Sequence, residues 1–161
     1  MRLRIVPVFF GLALILAAPL ATPSHAAIKI IVNDVPITDY DISQRARLIT
    51  MTQRKSASIA KKQAEEELVD DQVKLAEAER VGVDVSQSEV DNAFNNIARN
   101  VKMSPAQLSK ALRSGGVQPD TLKERLKAQL AWNQVLRSRF SGRIEVDESD
   151  VIAALKKTDE E

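Results

Sequence analysis

The amino-acid sequence predicts a mostly α-helical domain of five to six helices, preceded by a short β-hairpin. Helix starts are marked at Thr38, Ser86 and Ser104, each followed three positions later by an acid or an amide. At Ser86 and Ser104 the arrangement is typical of the capping box, in which two side chains satisfy free backbone N–H groups at a helix N-terminus. Apolar residues recur at helical spacing after each start, and Gly82 and Gly142 stand where two helices should end.

The hairpin is predicted at the start of the domain. Residues 27–32 form a β-branched run, Asn33–Asp34 is a turn pair, and residues 35–37 supply a second short strand. A two-stranded hairpin is not stable alone in water, so it must dock on the helices. The buried side of the first helix, which follows Thr38, is expected to carry Ile42, Ala46 and Ile49.

Four more helices are predicted after a polar segment at residues 52–58, which is either a loop or a frayed helix end. Gly82 fits the position just after the second helix, where a left-handed backbone suits glycine, and Gly115–Gly116 separate the last two helices. The predicted helical ranges are 59–81, 87–99, 105–113 and 119–140. On the second helix the expected buried stripe comprises Ala64, Leu68, Gln72 or Val73, and Ala76. On the last helix it comprises Leu122, Leu126, Leu130, Asn133 and Leu136.

Residues 1–26 are predicted to be a secretory signal peptide. Arg2 and Arg4 form a positive start, residues 8–21 are apolar, and small residues favour cleavage between Ala26 and Ala27. A retained membrane anchor is the alternative, but the apolar run is shorter than the roughly 20 residues that span a bilayer. Cleavage would leave no stable membrane anchor.

The rest of the chain divides into a domain at residues 27–142 and a segment at residues 143–161. Residues 144–151 repeat the layout of residues 83–90, with Asp147 in the place of Ser86 as the helix cap. Eight residues are too few to indicate a duplicated domain. Residues 143–161 are therefore interpreted as the start of a further helix or as a linker.

The composition argues against several classes of function. Without the two arginines of the signal, 21 basic and 22 acidic residues remain, a balance with no strong attraction for nucleic acid. The only histidine, His25, lies in the signal, and the chain has no cysteine. Catalytic triads and zinc sites of the usual ligand types are therefore not expected. The sequence predicts no enzyme activity, no cofactor and no metal.

Two acidic clusters raise the alternative of a metal site. For Glu65–Glu67 with Asp70–Asp71, lysines three or four positions away favour a solvated, ion-paired helix face instead. For Asp39 and Asp41, capping and stabilisation of the helix dipole are the simpler explanation.

Ordered segments throughout the helices resemble the SurA family, including its pattern E-x-L-I … A-x-x-x-G-I-x-V-S. These segments are Glu66–Val69, Ala76–Ala78, Gly82–Val83, Val85–Ser86, Glu89–Asp91, Ile97–Ala98, Asn100, Met103–Ser104, Gln107–Leu108, Gly116–Val117 and Gln129–Trp132. The resemblance extends from Ile28 to the region of Val151. It implies a SurA N-terminal-like domain, located in the periplasm, that binds unfolded polypeptides and outer-membrane proteins in particular.

Members of the SurA family usually also carry parvulin-type prolyl isomerase domains, and the paired histidines of such a domain do not occur in this sequence. Two alternatives to a non-catalytic chaperone stay open. In the first alternative, the chain is the N-terminal part of a SurA-like peptidyl-prolyl cis–trans isomerase. In the second, it is a secreted interaction module that forms a homodimer.

A groove for client segments requires exposed apolar side chains, and methionines make such a surface adaptable. For Trp132, packing against a neighbouring helix is the alternative to a role in binding. The groove is predicted to be lined by Met51, Phe94, Met103, Trp132 and Leu136.

Overall fold

The computed structural model describes residues 27–140, which form a two-stranded hairpin followed by five helices. The predicted fold class is confirmed. The elements are β1 (Ile28–Val32), β2 (Val35–Thr38), α1 (Asp39–Gln53), α2 (Ala57–Arg80), α3 (Gln87–Asn100), α4 (Pro105–Ser114) and α5 (Pro119–Phe140). The predictions for residues 1–26 and 141–161, including the cleavage site and the further helix, lie outside the described residues.

The hairpin forms as predicted. Asn33 and Asp34 both have positive φ, 49° and 65°, which gives the turn the twist that two adjacent antiparallel strands require. Ile37 of β2 is buried in a cluster with Ile42 and Ile49 of α1 and with alanines of α2. The hairpin is therefore held by the helices, on which its inner face packs.

The predicted capping boxes at Ser86 and Ser104 are present, and the predicted helix start at Thr38 is a third capping box. The side chains of Thr38, Ser86 and Ser104 accept from the backbone N–H three residues on, and the partner side chain bonds back to each cap. Asp41, which completes the box at Thr38, accepts from the Thr38 backbone N–H at 2.8 Å. Capping thus accounts for this acid, as expected.

Three helices end with the same backbone turn. Gly82, Lys102 and Gly116 follow α2, α3 and α4, with φ values of 74°, 58° and 75°. In each case the next N–H donates to the carbonyl five residues earlier, at 2.8 to 2.9 Å. Glycine adopts this left-handed conformation without strain, whereas Lys102 does so at a cost to stability.

The loop before α2 is shorter than the predicted polar segment, because α1 continues to Gln53 and α2 begins at Ala57. Of the two alternatives for the stripe on α2, Gln72 is half-buried and Val73 is exposed. On α5 the predicted stripe of leucines is displaced. The fully buried residues of α5 are Pro119, Leu122, Ala128, Ala131 and Val135.

The stripe on α5 is displaced because α5 has a central position and contacts all four other helices. Small side chains such as Ala128 and Ala131 let neighbouring backbones approach closely. Leu126 and Leu130 then occupy the half-buried margins of that contact. The core is thus distributed over three apolar clusters, and α5 contributes to two of them.

Candidate functional site

The five predicted groove residues are not gathered in one place. Met51, at the end of α1, is 42% exposed, Met103 lies exposed between α3 and α4, and Leu136 is exposed on α5. Trp132 is half-buried against the cluster between α2, α3 and α5. Phe94 is only 3% exposed and packs inside the cluster of α1, α3, α4 and α5. Phe94 is therefore a core residue in this structure, and assigning it to an open groove was wrong.

Met51 borders an apolar cavity of about 350 Å³ where α1, α2 and α4 meet. The cavity is lined by Ala46, Arg47, Thr50, Met51, Ala57 and Gly115. A Cβ atom at Gly115 would lie 2.7 Å from the sulfur of Met51, so a side chain there would displace Met51 from this position. The absence of a side chain at Gly115 lets Met51 lie against the end of α4. The resulting surface is small, concave and bordered by one flexible thioether.

A second feature is a charged cluster buried between α1 and α2. Arg45 of α1 is 1% exposed, and its Nη1 atom lies 3.2 Å from Oε2 of Glu67 and 2.8 Å from Oδ2 of Asp71. Glu67 also accepts from the side-chain amide of Gln63 at 2.7 Å and lies 3.5 Å from Arg125 of α5. The cluster therefore links three helices through ionised side chains.

The cluster is not fully satisfied. Within residues 27–140, Arg45 Nε and Asp71 Oδ2 have no hydrogen-bond partner, so the close approach of Asp71 to Arg45 is an ion pair without hydrogen-bond alignment. Burial raises the pKa of Asp71 above its ordinary value, and the positive charge of Arg45 only partly opposes that effect. The loss of hydration therefore affects the pKa of Asp71 more strongly than the attraction of Arg45 does.

These contacts correct the interpretation of the acidic run on α2. Lys62 and Lys74 do pair with Glu66 and Asp70 on the exposed side of the helix. Glu67 and Asp71, however, face Arg45 and are largely buried. The sequence contained a signal for this pairing. Arg45 falls on the apolar side of α1, between Ile42 and Ile49, and a charge in that position requires buried partners.

The described residues do not form a metal site of the usual kind. Between residues 27 and 140, no group of three or more Asp or Glu side chains is arranged to hold a metal ion. Within the same range, no helix is both long and apolar enough to cross a membrane. Cavities in this part of the chain mix apolar with charged residues. One of about 480 Å³ is lined by residues of α2, α5 and the loop after α2, including Leu75, Val83 and Lys127.

The fold and these surfaces define an α-helical domain with apolar cavities and exposed apolar side chains. The model of the SurA N-terminal domain matches residues 26–136, and the chain belongs to this family.

Curated relatives agree with this assignment. The chain is 27% identical over 135 residues to the chaperone SurA of Saccharophagus degradans, covering 80% of this chain and 31% of the relative. It is 26% identical to the chaperones SurA of Pseudomonas fluorescens and Vibrio vulnificus, covering 82% and 77% of this chain and 34% and 30% of the relatives. The chain thus spans about a third of the length of these relatives.

Proposed function

We propose that this chain is a chaperone-like protein that binds unfolded polypeptides through apolar contacts, without a catalytic step. The observation that carries the proposal is the family match over residues 26–136 together with relatives named as chaperones. Unfolded outer-membrane proteins are the proposed clients, and the periplasm is the proposed location. Both follow from the resemblance to the SurA family and from the predicted signal peptide at residues 1–26.

The described surface supports this activity. Binding an unfolded chain needs apolar side chains that remain exposed while the scaffold stays folded, because the client gains from the removal of apolar area from water. Ile31 of β1, Met51 of α1, Ile59 of α2 and Met103 before α4 are exposed, while separate clusters hold the fold. No reactive group is required for such binding.

We place one client contact at the cavity beside Met51. Its volume of about 350 Å³ suits one or two apolar side chains of an extended segment, and its lining is mainly apolar. Met51 has several rotatable bonds and adapts to side chains of different shape, which is useful for a protein with varied clients. Arg47 at the edge of the cavity supplies a charge that also contacts the Gly116 carbonyl at 3.1 Å.

The test compares two variants in which an exposed apolar residue becomes an acid. Met51→Glu changes the cavity, and Val73→Glu changes a residue of similar exposure on the outer side of α2, 50% against 42% for Met51. Binding is measured by fluorescence anisotropy of a labelled outer-membrane β-barrel protein kept unfolded in dilute urea, and circular dichroism confirms that both variants are folded.

We expect Met51→Glu to weaken binding at least tenfold, which corresponds to about 1.4 kcal/mol. Val73→Glu should bind like the unchanged protein. Equal affinities for the two variants would refute the placement at Met51. Absence of binding by the unchanged, folded protein would refute the proposed function itself.

Mass spectrometry of the exported protein tests the location, with an N-terminus at Ala27 as the expected result.

A further inference from the structure

An apolar stripe runs along the last two turns of α5. Trp132, Leu136 and Phe140 are spaced four residues apart, which places them on one side of the helix. Trp132 is half-buried, whereas Leu136 and Phe140 are 36% and 43% exposed. Within residues 27–140, nothing covers the outer part of this stripe. Large apolar side chains that lie side by side on a surface are typical of a contact site.

The described part of the chain shows how one segment packs on α5. Residues 83–90 have the pattern of two valines, a capping residue and a third valine. Val85 and Val90 are buried together with Ala131 and Val135 of α5. The capping box at Ser86 begins α3 between these two valines. The pattern therefore produces a helix start whose apolar residues contact α5.

Residues 144–151 repeat this pattern with Ile144, Val146 and Val151 in the places of the three valines. We propose that residues 144–155 of the same chain bind the stripe formed by Trp132, Leu136 and Phe140. The repeated apolar spacing supplies the contacting side chains. The occupant of this surface is thus a segment of the protein itself.

Length and charge favour this occupant. Residues 141–147 connect α5 to the proposed helix, and a connection of two to eight residues is usual between packed helices. The stripe is about 12 Å long at 1.5 Å per residue, which matches a helix over residues 148–155. The last turn of α5 carries Arg137 and Arg139, of which Arg139 also pairs with Glu77 at 2.6 Å, and residues 145–150 contain four acids. Opposite charges would therefore lie near each other in the docked arrangement.

Trp132 is the only tryptophan of the chain and reports directly on its own coverage. The test substitution is Val151→Asp, and the matched control is Ser149→Asp, which introduces the same charge. Ser149 corresponds to Ser88 in the first copy of the pattern, and Ser88 is exposed. Acrylamide quenching of the Trp132 fluorescence is measured on residues 27–161 over a dilution series, without any client.

Val151→Asp should increase the quenching of Trp132 about twofold, because the indole presents a large apolar area to the docked segment. Ser149→Asp should leave quenching unchanged, and neither value should depend on protein concentration. As a second measurement, Leu136→Glu should accelerate amide hydrogen exchange in residues 148–155, which probes the contact from the other side.

Equal quenching in the two variants, with rapid exchange in residues 148–155 of the unchanged protein, would overturn the proposal. Protection of Trp132 that increases with protein concentration would instead assign the stripe to a second copy. Protection that arises only when denatured protein is added would assign it to a client. Because no client is present in the main measurement, its result is independent of the proposed chaperone function.

Discussion

Replacing Arg45 by methionine tests whether the buried charged cluster holds α1, α2 and α5 together. Methionine keeps most of the apolar stem but removes the positive charge between Glu67 and Asp71. Two largely buried carboxylates would then lose their common partner. Arg45→Met should therefore destabilise the fold without disturbing the surrounding apolar clusters.

The magnitude follows from what each carboxylate retains. Removing one partner of a buried ion pair typically costs about 3–5 kcal/mol, because the other charge stays buried. Glu67 keeps the amide of Gln63 at 2.7 Å and Arg125 at 3.5 Å, so it is partly compensated. Asp71 can take up a proton, since its pKa is already raised. We expect the lower end of the range, about 3 kcal/mol near neutral pH.

The loss should also depend on pH, with a sign that follows from Asp71. Arg45 lowers the pKa of Asp71, so in Arg45→Met that pKa rises further above its unfolded value. The variant then binds a proton in the folded state at a higher pH than the unchanged protein does. As pH falls through this window the variant regains stability, and the difference between the two proteins becomes smaller.

Urea unfolding, followed by Trp132 fluorescence and circular dichroism, measures both effects. Arg47→Met is the matched control on the same helix, because Arg47 is exposed and its single described hydrogen bond goes to the Gly116 carbonyl. The control should lose about 1 kcal/mol or less. A loss below about 1 kcal/mol for Arg45→Met, or a loss that is the same from neutral to mildly acidic pH, would refute the reasoning.

Three further predictions concern single residues. Asp71→Asn removes a carboxylate whose pKa is raised in the folded state. As pH falls through that raised pKa towards the ordinary value, the unchanged protein should therefore become more stable relative to the variant. Urea unfolding at several pH values checks this difference. Ser86→Ala should cost about 1 kcal/mol by removing the α3 cap, while exposed Ser88→Ala should not, and a thermal scan would contradict this if both behave alike. Gly82→Ala should destabilise and Lys102→Gly stabilise by about 1 kcal/mol, since both positions have left-handed backbones; equal signs would refute the role of φ.

Apart from the loop between α1 and α2, the helix boundaries were predictable because they depend on local chemistry. The capping boxes at Thr38, Ser86 and Ser104 and the glycine after α2 act within one helical turn, so the sequence contains them completely. The left-handed residue after α3 could not be predicted in this way. Lys102 is not a residue that favours this conformation, and the turn contains a hydrogen bond from the Met103 N–H to the Ala98 carbonyl.

The surfaces were less predictable because they depend on how helices pack. The stripe predicted on α5 assumed that one side faces the core, whereas a central helix with four neighbours buries its alanines as well as Leu122. Phe94 lies on the apolar side of the amphipathic helix α3, and the sequence pattern is the same whether that side faces a groove or the core. The cavity at Met51 depends on Gly115, which is distant in sequence and reaches Met51 only through the packing of α4.

The most direct test of the central claim uses purified residues 27–161 and an outer-membrane β-barrel protein denatured in urea. The barrel protein is diluted into increasing amounts of the chain, and its aggregation is followed by light scattering. A chaperone-like domain that binds unfolded polypeptides through its exposed apolar surface should suppress aggregation near stoichiometric ratios. Unchanged aggregation in the presence of a large excess of the folded chain would contradict the proposed function.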